Sequence, residues 1–320
     1  MEFTVVIILF IAGIILIVKG GDYFVDAASW MAEVSGIPRL IIGATIVSFA
    51  TTLPEVLVSV MAASKGKVDM SIGNAIGSVT ANIGLIMAIS IICIPAVIRR
   101  QDYLIKSALM LAAAVLIVIA GSSGEMGFVM SAMLFAVCVI FFWENVSAAR
   151  KSLKEKKEGT SRMGARPDRR EIGINIVKFI IGAIGIVWGA DLLVDNGSEL
   201  ARMAGISERI IGVTIIAIGT SLPELITTIT AILKKQSSLS VGNIIGANII
   251  DLTLILPLCS LLAGKPLPIA EVSASLDLPA CLLVGGIALI PAMISEKFRR
   301  WQGILLLAVY GIYVFLTCTM

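Results

Sequence analysis

The sequence contains no histidine and few charged residues, and each shortage argues against a class of protein. Only 15% of its 320 residues are charged, whereas 58% are hydrophobic and the mean hydropathy is +1.00. A soluble chain has about 25% charged and about 45–50% apolar residues, so this chain has too little polar surface to face water. With no histidine and no Cys-x-x-Cys pair among its five cysteines, we expect neither a zinc site nor a disulfide framework.

Apolar runs of the length that a bilayer core requires, about 17–25 residues, recur from one end of the chain to the other. They predict an all-α polytopic membrane protein with ten transmembrane helices, in a cell membrane. The predicted spans are 3–20, 40–63, 70–94, 103–121, 126–147, 172–194, 209–233, 239–263, 275–294 and 301–318. The first apolar run, Phe3 to Val18, is interpreted as part of a retained helix, because Glu2 precedes the run and Lys19 follows it, the reverse of the charge order in signal peptides.

The longest polar segment, residues 148–171, is rich in Lys and Arg and is predicted to be a cytoplasmic basic linker. It has few apolar residues to bury, which argues against a folded domain. When this segment is placed in the cytoplasm, all but five of the 25 Lys and Arg residues fall on that side. The five are Lys65, Lys67, Arg202, Arg209 and Lys265. Both chain termini are then extracytoplasmic.

An internal repeat relates the two halves of the chain at a constant offset of 169 residues. Gly43-Ala-Thr-Ile-Val-Ser-Phe-Ala-Thr-Thr-Leu-Pro-Glu55 resembles Gly212-Val-Thr-Ile-Ile-Ala-Ile-Gly-Thr-Ser-Leu-Pro-Glu224. The same offset maps Ser71-Ile-Gly-Asn74 onto Ser240-Val-Gly-Asn243. Chance similarity between two apolar stretches would not keep proline, glutamate, asparagine and glycine in register.

The copies begin at the first and the sixth predicted helix, so they enter the membrane in opposite senses. We therefore predict two inverted-topology five-helix repeats, residues 1–147 and 172–320, on either side of the linker. Inverted repeats are typical of secondary transporters, whose binding site lies near the membrane midplane between the repeats.

Glu55 and Glu224 fall near the middle of predicted spans, and each follows a proline. An ionisable residue at that depth costs about 2.5–3.5 kcal/mol on insertion scales, so it suggests a functional site. Proline removes a backbone N–H and displaces the carbonyl four residues before it, which belongs here to Ala50 or Gly219. The structural alternative is a buried carboxyl group hydrogen-bonded across helices, beside a proline kink that only shapes packing.

The helix after each glutamate carries residues four positions apart, on one helical face. They are Asn74, Ser78 and Asn82 in the first copy and Asn243, Ala247 and Asp251 in the second. Gly-x-x-x-Gly pairs on the same helices allow close approach of neighbouring helices. We expect this approach to bring Asn82 and Asp251 towards the two glutamates.

The donors of these motifs are carboxylates, amides, hydroxyls and backbone carbonyls, all of which offer oxygen. Ca²⁺ takes about 6–8 oxygen ligands in flexible geometry, and the lack of histidine and thiolate pairs argues against transition metals. Three carboxyl groups in one small site repel one another unless a divalent cation, several monovalent cations or protons neutralise them. Competition for one carboxylate cluster is the simplest physical basis of antiport.

On these motifs the chain resembles the sodium/calcium exchanger family, within the wider group of calcium/cation antiporters. The motifs are residues 43–55, 73–82, 212–224 and 242–251, and the resemblance to prokaryotic members covers the whole chain. It implies a secondary active antiporter that exchanges Ca²⁺ for Na⁺ by alternating access and needs no cofactor.

The resemblance implies that Glu55 and Glu224 bind Ca²⁺ together with the backbone oxygens of Thr51 and Thr220. The other residues that it implies for Na⁺ or for completing the centre are Thr52, Ser78, Ser221, the carbonyls of Ser48 and Ala217, Asn82 and Asp251. Ala247 departs from the family pattern, because a hydroxyl is expected there, and one Na⁺ site therefore lacks a ligand. Exchange of Ca²⁺ for H⁺ or another cation, at the same carboxylates, is the alternative.

Two further classes of function are an enzyme and a passive channel. An intramembrane aspartyl protease would need paired aspartates, and the best pairs are Asp22 with Asp191 and Asp26 with Asp195. These residues lie at predicted helix ends, where acids can reach water, so we expect no enzyme. Inverted repeats with broken helices favour alternating access over a passive channel. The expected partners are Ca²⁺, Na⁺ or H⁺, and the lipid bilayer, with no nucleic acid and no obligate protein partner.

Overall fold

A computed structural model describes residues 3–66, 68–94, 100–158, 168–205, 219 and 221–319. The described residues are mainly helical. The helices are α1 (Phe3–Ser35), α2 (Arg39–Thr51), α3 (Leu53–Ser64), α4 (Val68–Cys93), α5 (Arg100–Ser122), α6 (Phe128–Glu158), α7 (Arg169–Met203), α8 (Leu222–Leu233), α9 (Ser237–Ala263), α10 (Ser273–Ser295) and α11 (Arg300–Thr319). Two short strands, β1 (Glu125–Met126) and β2 (Leu267–Pro268), pair antiparallel.

Among the described residues, eight helices are long and apolar enough to cross a membrane, or nine if α2 and α3 count as one span bent by 46°. These helices agree with the prediction of an all-α polytopic protein. The first half of the predicted span 209–233 lies outside the described residues except for Gly219, and its second half is the short apolar helix α8. The count of ten spans therefore stays a prediction.

The helices α1 and α7 are longer than predicted, since they end at Ser35 and Met203 rather than near residues 20 and 194. The prediction ended each helix where the apolar run ends, but charged residues do not stop a helix. The stops are Gly36 and Gly205, whose φ angles of +76° and +79° are left-handed. Glycine adopts that conformation readily and commonly terminates helices.

The helix α6 also continues past its predicted end at residue 147 and reaches Glu158, inside the segment predicted as a linker. This part of the chain is rich in alanine, lysine and glutamate, which are good helix formers, and Gly159 is the first glycine or proline after residue 147. The start of the basic segment is thus helical. Residues 159–167 lie outside the described part of the chain.

The structure divides into two compact units, and each unit contains segments from both halves of the sequence. The first unit comprises Met1–Thr51 and Asn145–Asn243, and the second comprises Thr52–Glu144 and Ile244–Met320. This division follows contacts within the structure, whereas the repeat division follows sequence similarity. The repeats at 1–147 and 172–320 therefore remain a prediction.

In the first unit, α1 and α7 pack antiparallel through glycines. A Cβ atom built on Gly13 would lie 2.9 Å from the Gly189 carbonyl oxygen, and one on Gly20 would lie 2.9 Å from that of Gly182. Small residues at a helix interface allow such close approach. The 169-residue offset maps Gly13 onto Gly182 and Gly20 onto Gly189. The two contacts are therefore reciprocal, as across a two-fold axis.

The outer faces of the long helices are apolar. In α1 and α7 only 22% of the most apolar window is buried, and large exposed side chains include Phe3, Ile8, Ile15 and Trp188. Soluble monomers rarely expose continuous apolar surface on this scale. A lipid environment requires such a surface, which agrees with the spans predicted from the sequence.

The second unit is built around α4 and α9, whose most apolar windows are 72% and 83% buried. The helix α11 crosses α4 where Tyr310 covers Gly84, at 2.8 Å from the position of a Cβ atom on that glycine. An ion pair from the buried Lys106 Nζ to Oε2 of the partly buried Glu144, at 2.5 Å, joins α5 to α6. Because α4 and α9 are enclosed, most of their polar residues face protein rather than lipid, and Asp69 in the first turn of α4 is an exposed exception.

Candidate functional site

Each of the two proline-glutamate motifs starts a helix after an irregular residue. Thr52 (φ −84°, ψ −4°) precedes α3, and Ser221 (φ −89°, ψ 8°) precedes α8. These angles lie in the sparsely populated bridge region, where many active-site residues are found. Glu55 and Glu224 lie in the first turn of their helices, where the helix dipole favours negative charge. Each glutamate therefore lies three residues after an irregular backbone position.

In the second unit, three polar residues from three neighbouring helices are fully buried. Glu55 on α3 is 1% exposed, Asn82 on α4 is 1% exposed and Asp251 on α9 is 0% exposed. Both α3 and α4 contact the turn of α9 that starts at Asp251. The Asn82 Nδ2 atom donates to Asn248 Oδ1 at 3.1 Å. The structure thus places Glu55, Asn82 and Asp251 on adjoining helices of the second unit.

A second amide in this unit contacts the glutamate helix itself. The Asn74 Nδ2 atom lies 3.3 Å from the Glu55 carbonyl oxygen and 2.9 Å from Ser59 Oγ, and it donates to both. Ser59 was not predicted as part of the site. The sequence does contain a signal that could have identified Ser59. Ser59 and Thr228 are hydroxyl residues at equivalent positions of the two repeats, four residues after each glutamate.

In the first unit, Asn243 on α9 connects the end of α2 to the start of α8. Its Oδ1 atom accepts from Thr51 Oγ1 at 3.2 Å, and its Nδ2 atom donates to Thr227 Oγ1 at 3.4 Å. The Thr227 hydroxyl donates in turn to the Pro223 carbonyl and lies 3.3 Å from the Glu224 carbonyl oxygen. Thr227 was not predicted as part of the site either, because the equivalent residue in the first repeat is Val58, which has no hydroxyl group.

The approach of α2 to α9 in the first unit depends on two glycines. A Cβ atom on Gly43 would meet the Leu239 carbonyl and lie 2.9 Å from the Asn243 backbone nitrogen. One on Gly242 would meet the Leu40 carbonyl and lie 3.0 Å from the Ala44 nitrogen. The prediction of close approach through glycines is confirmed for Gly242, and this contact places Asn243 next to α2. It is wrong for Gly73 and Gly77, because no described atom lies within 4 Å of a Cβ atom built on either glycine.

Two π-helical turns begin at predicted site residues. They span Asn82–Met87 and Asp251–Ile255, and their first residues differ by the same 169 positions. A π turn adds a residue between hydrogen-bonded partners and is frequently found at functional sites. These turns have no composition signal, so the sequence could not predict them.

Nine of the predicted site residues are described, and all nine are buried. In the first unit they are Ser48, Thr51, Ser221 and Glu224, and in the second they are Thr52, Glu55, Ser78, Asn82 and Asp251. The other two, Ala217 and Thr220, lie outside the described residues. Ala247, at the position equivalent to Ser78, is also fully buried.

Within the described ranges, no three side chains of Cys, Asp or Glu come close enough to hold one metal ion together. The sequence suggested a cluster of three carboxylates, and the described residues do not form one. A site with two carboxylates and several hydroxyl, amide or carbonyl oxygens is a different arrangement and needs no such cluster.

Two of the four aspartates considered for an enzyme, Asp22 and Asp26, take part in an ion-pair group at the end of α8. Lys234 Nζ lies 3.2 Å from Asp22 Oδ1 and 2.8 Å from Asp26 Oδ1, and the three side chains are partly exposed. The two aspartates stand one turn apart on α1. They thus bind a lysine at the surface of the first unit, which agrees with their interpretation as interfacial charges.

Comparison with known proteins identifies the class. The family described as "Sodium/calcium exchanger protein" matches residues 5–144 and 174–319. An uncharacterised membrane protein of Methanocaldococcus jannaschii is 33% identical over 307 residues, which is 95% of this chain and 95% of that protein. The sodium/calcium exchanger MaX1 of Methanosarcina acetivorans is 29% identical over 345 residues, covering 96% of this chain and 97% of that exchanger.

A solved structure extends the similarity to the fold. A structure of the sodium-calcium exchanger NCX_Mj aligns with a TM-score of 0.79 at 30% identity, covering 98% of this chain and 99% of that chain. The fold is therefore that of an all-helical, multi-pass membrane transporter, not of an enzyme. The chain belongs to the sodium/calcium exchanger family and is a cation/Ca²⁺ antiporter. The family resemblance drawn from the motifs is confirmed.

Proposed function

We propose that this antiporter exchanges Ca²⁺ for Na⁺ by alternating access. The observation that carries the proposal is the pair of buried glutamates, Glu55 and Glu224, each in the first turn of a helix that begins after an irregular residue. The names of MaX1 and NCX_Mj describe both as sodium–calcium exchangers, which supports Na⁺ as the coupling ion.

In this proposal, Glu55 and Glu224 bind Ca²⁺ together with the backbone oxygens of Thr51 and Thr220. The remaining residues proposed for Na⁺ or for completing the centre are Ser48, Thr52, Ser78, Asn82, Ala217, Ser221 and Asp251. The burial of the described members supports this set. A buried ionised carboxylate is costly unless an opposite charge compensates it, and hard cations such as Ca²⁺ prefer oxygen ligands.

Shared carboxylates explain the exchange. While Ca²⁺ neutralises them, Na⁺ gains little from entering, and while Na⁺ ions or protons neutralise them, Ca²⁺ is excluded. The empty site would leave buried negative charges together, which is unfavourable in a low-dielectric interior. The protein therefore changes between its two accessible states with one ion set or the other bound.

We also propose ten spans in two inverted repeats. Support comes from the constant offset of the motifs and from the reciprocal glycine contacts of α1 and α7. We propose that the basic segment 148–171 faces the cytoplasm and that both termini face the opposite side. The strong bias of Lys and Arg towards one set of loops supports this orientation.

Coupling to protons is the second candidate, and one residue favours it. Ala247 is fully buried and carries a methyl group at the position where the first repeat has the Ser78 hydroxyl. A methyl group cannot provide oxygen to Na⁺. Protonation of the carboxylates needs no such ligand, so loss of one Na⁺ site leaves proton coupling intact.

The test is uptake of ⁴⁵Ca²⁺ into proteoliposomes that contain the purified protein. We expect an outward Na⁺ gradient to drive uptake, and an outward proton gradient without Na⁺ to give only the background of protein-free liposomes. Uptake driven by the proton gradient alone would replace the sodium proposal with the proton one. If neither gradient drives uptake, the proposed exchange is wrong.

A further inference from the structure

We propose that Asn74 and Asn243 are positioning residues of the transport site. Each amide holds the backbone around a glutamate-bearing helix start, so that the proposed ion ligands keep their orientation, and neither amide is among those ligands. The two asparagines occupy equivalent positions in the repeats, on α4 and α9. The inference rests on the proposed function and adds residues to that site.

The Asn74 amide fixes α3 at two points one turn apart. Its Nδ2 atom donates to the Glu55 carbonyl oxygen at 3.3 Å and to Ser59 Oγ at 2.9 Å. A backbone carbonyl can only accept a hydrogen bond, so the amide nitrogen must face α3. Contacts with residues 55 and 59 hold α3 in one rotation about its axis. The direction in which Glu55 leaves the helix is thereby set.

Asn243 performs the same role in the first unit with a different set of bonds. The Thr227 hydroxyl gives its proton to the Pro223 carbonyl, so it can only accept from Asn243 Nδ2. This orients the amide and leaves Oδ1 facing the Thr51 hydroxyl at 3.2 Å. Asn243 thus holds Thr51, a proposed Ca²⁺ ligand through its backbone oxygen, and through Thr227 it reaches the helix turn of Glu224.

In both repeats the asparagine is connected by hydrogen bonds to the helix turn that carries the glutamate, although the intervening bonds differ. This argues that the asparagines do more than fill space. Asn74 bonds directly to a glutamate carbonyl, whereas Asn243 acts through Thr227, whose equivalent in the first repeat is Val58. Asn243 is buried and Asn74 is partly buried. An amide removed from water is costly wherever its hydrogen bonds are not made, and an apolar residue would fill either position without that cost. Both positions nevertheless carry asparagine.

The expected effect on ion binding is large. Residues that orient metal ligands without touching the metal typically change affinity by about 10–100-fold when they are mutated. We therefore expect Asn74→Ala and Asn243→Ala each to weaken Ca²⁺ binding by about tenfold or more. The carboxylates themselves remain in these variants, so transport should persist at saturating Ca²⁺, and its half-saturating concentration should rise.

The experiment measures equilibrium ⁴⁵Ca²⁺ binding to detergent-purified protein, together with the Ca²⁺ dependence of Na⁺-driven uptake in proteoliposomes. Thr80→Val is the matched control. Thr80 is a buried residue of α4 whose hydroxyl bonds to the Ile76 carbonyl of its own helix at 2.9 Å. This variant removes a buried polar group from the same helix, and we expect wild-type Ca²⁺ affinity.

If an asparagine variant does not fold, another variant still tests the positioning role. Thr227→Val removes the hydroxyl that Asn243 uses, with little change in shape, and the chain already has valine at the equivalent Val58. We expect Thr227→Val to weaken Ca²⁺ binding at least about threefold, below the range for direct loss of an orienting residue. When Thr227→Val is combined with Asn243→Ala, the further loss of Ca²⁺ affinity should be smaller than the loss caused by Thr227→Val alone, because both changes break the same chain of hydrogen bonds.

The outcomes separate the inference from the proposed function. If wild-type protein neither binds nor transports Ca²⁺, the proposed function is wrong. If wild type binds Ca²⁺ but Asn74→Ala, Asn243→Ala and Thr227→Val all stay within about twofold of it, well under the typical orienting effect, the positioning role is wrong and the function stands. An equal loss of affinity in Thr80→Val would also overturn the positioning role, because it would show a general loss of packing.

Discussion

At the scale of single residues, the glutamates carry the sharpest prediction. Glu55→Gln and Glu224→Gln each replace a charged proposed ligand by a neutral side chain of the same shape. Hard divalent cations need carboxylate ligands in such sites, so Na⁺-driven ⁴⁵Ca²⁺ uptake should fall to the background of protein-free liposomes. The variants should still purify as folded protein. Glu125→Gln, at an exposed glutamate between α5 and α6, is the control and should transport normally.

Wild-type uptake rates in either glutamine variant would remove that glutamate from the site. A loss of uptake accompanied by a loss of folded protein would indicate a structural carboxyl, the alternative raised by the sequence. Thermal stability of each purified variant, measured beside its transport rate, distinguishes these results.

Ala247 tests the coupling ion. Ala247→Ser adds one oxygen at the position equivalent to Ser78, and we expect a lower Na⁺ concentration for half-maximal Ca²⁺ flux or a steeper dependence on Na⁺. Affinity for Ca²⁺ should change little, since its proposed ligands lie elsewhere. The reverse change, Ser78→Ala, should weaken the dependence on Na⁺. Unaltered Na⁺ activation in Ala247→Ser, together with Ca²⁺ flux driven by a pH gradient alone, would favour proton coupling.

The sequence predicted the site residues unevenly, for a physical reason. Glu55 and Glu224 stand out because an acid inside an apolar run is costly and therefore rare. The sequence gives no comparable signal for Ser59, Thr227 and Asn248. Hydroxyl and amide groups are common in membrane helices, and their importance depends on partners from other helices. Asn248 became visible only through its 3.1 Å hydrogen bond with Asn82.

At the scale of helices, the contact of α2 with α9 gives a stability prediction. Gly242→Ala would place a methyl group against the Leu40 carbonyl and the Ala44 nitrogen, and backbone atoms cannot move aside as a flexible side chain can. Forcing extra volume into a packed interface typically costs about 1–3 kcal/mol. We therefore expect a lower thermal denaturation temperature in detergent and reduced Ca²⁺ uptake.

Gly311→Ala on α11 is the matched control, because no described atom lies within 4 Å of a Cβ atom built there. Alanine is the better helix former by roughly 0.5–1 kcal/mol, so this variant should be as stable as wild type or slightly more stable. If Gly242→Ala behaves like Gly311→Ala, the close approach of α2 and α9 at that glycine does not exist in the protein.

Helix positions were predictable from hydropathy because a bilayer fixes the length of an apolar span. The ends of the helices could not be predicted from hydropathy. The helices α1, α6 and α7 all continue beyond their apolar runs, since a helix needs only backbone hydrogen bonds to extend into a polar region. The π turns at Asn82 and Asp251 were also invisible, because they result from packing around the helix and no residue type marks them.

At the scale of the whole molecule, orientation is open to a labelling test. Asp168 is exposed within the basic segment, and Glu125 is exposed in the connection predicted on the opposite side. Single cysteines at these positions, in a protein without its five native cysteines, should report opposite faces. An impermeant thiol reagent applied to intact cells should label Glu125→Cys and spare Asp168→Cys. Labelling of Asp168→Cys alone would reverse the proposed topology.

The reciprocal glycine contacts of α1 and α7 have a consequence for the origin of the chain. Gly13 with Gly189 and Gly20 with Gly182 form the kind of surface through which two identical subunits could meet about a two-fold axis. On the inverted-repeat proposal, an ancestral five-helix subunit would have inserted in both orientations and dimerised through this surface. Fusion of two gene copies through a basic linker would then fix one half in each orientation. After fusion each half could acquire its own substitutions, such as Val58 against Thr227 and Ser78 against Ala247.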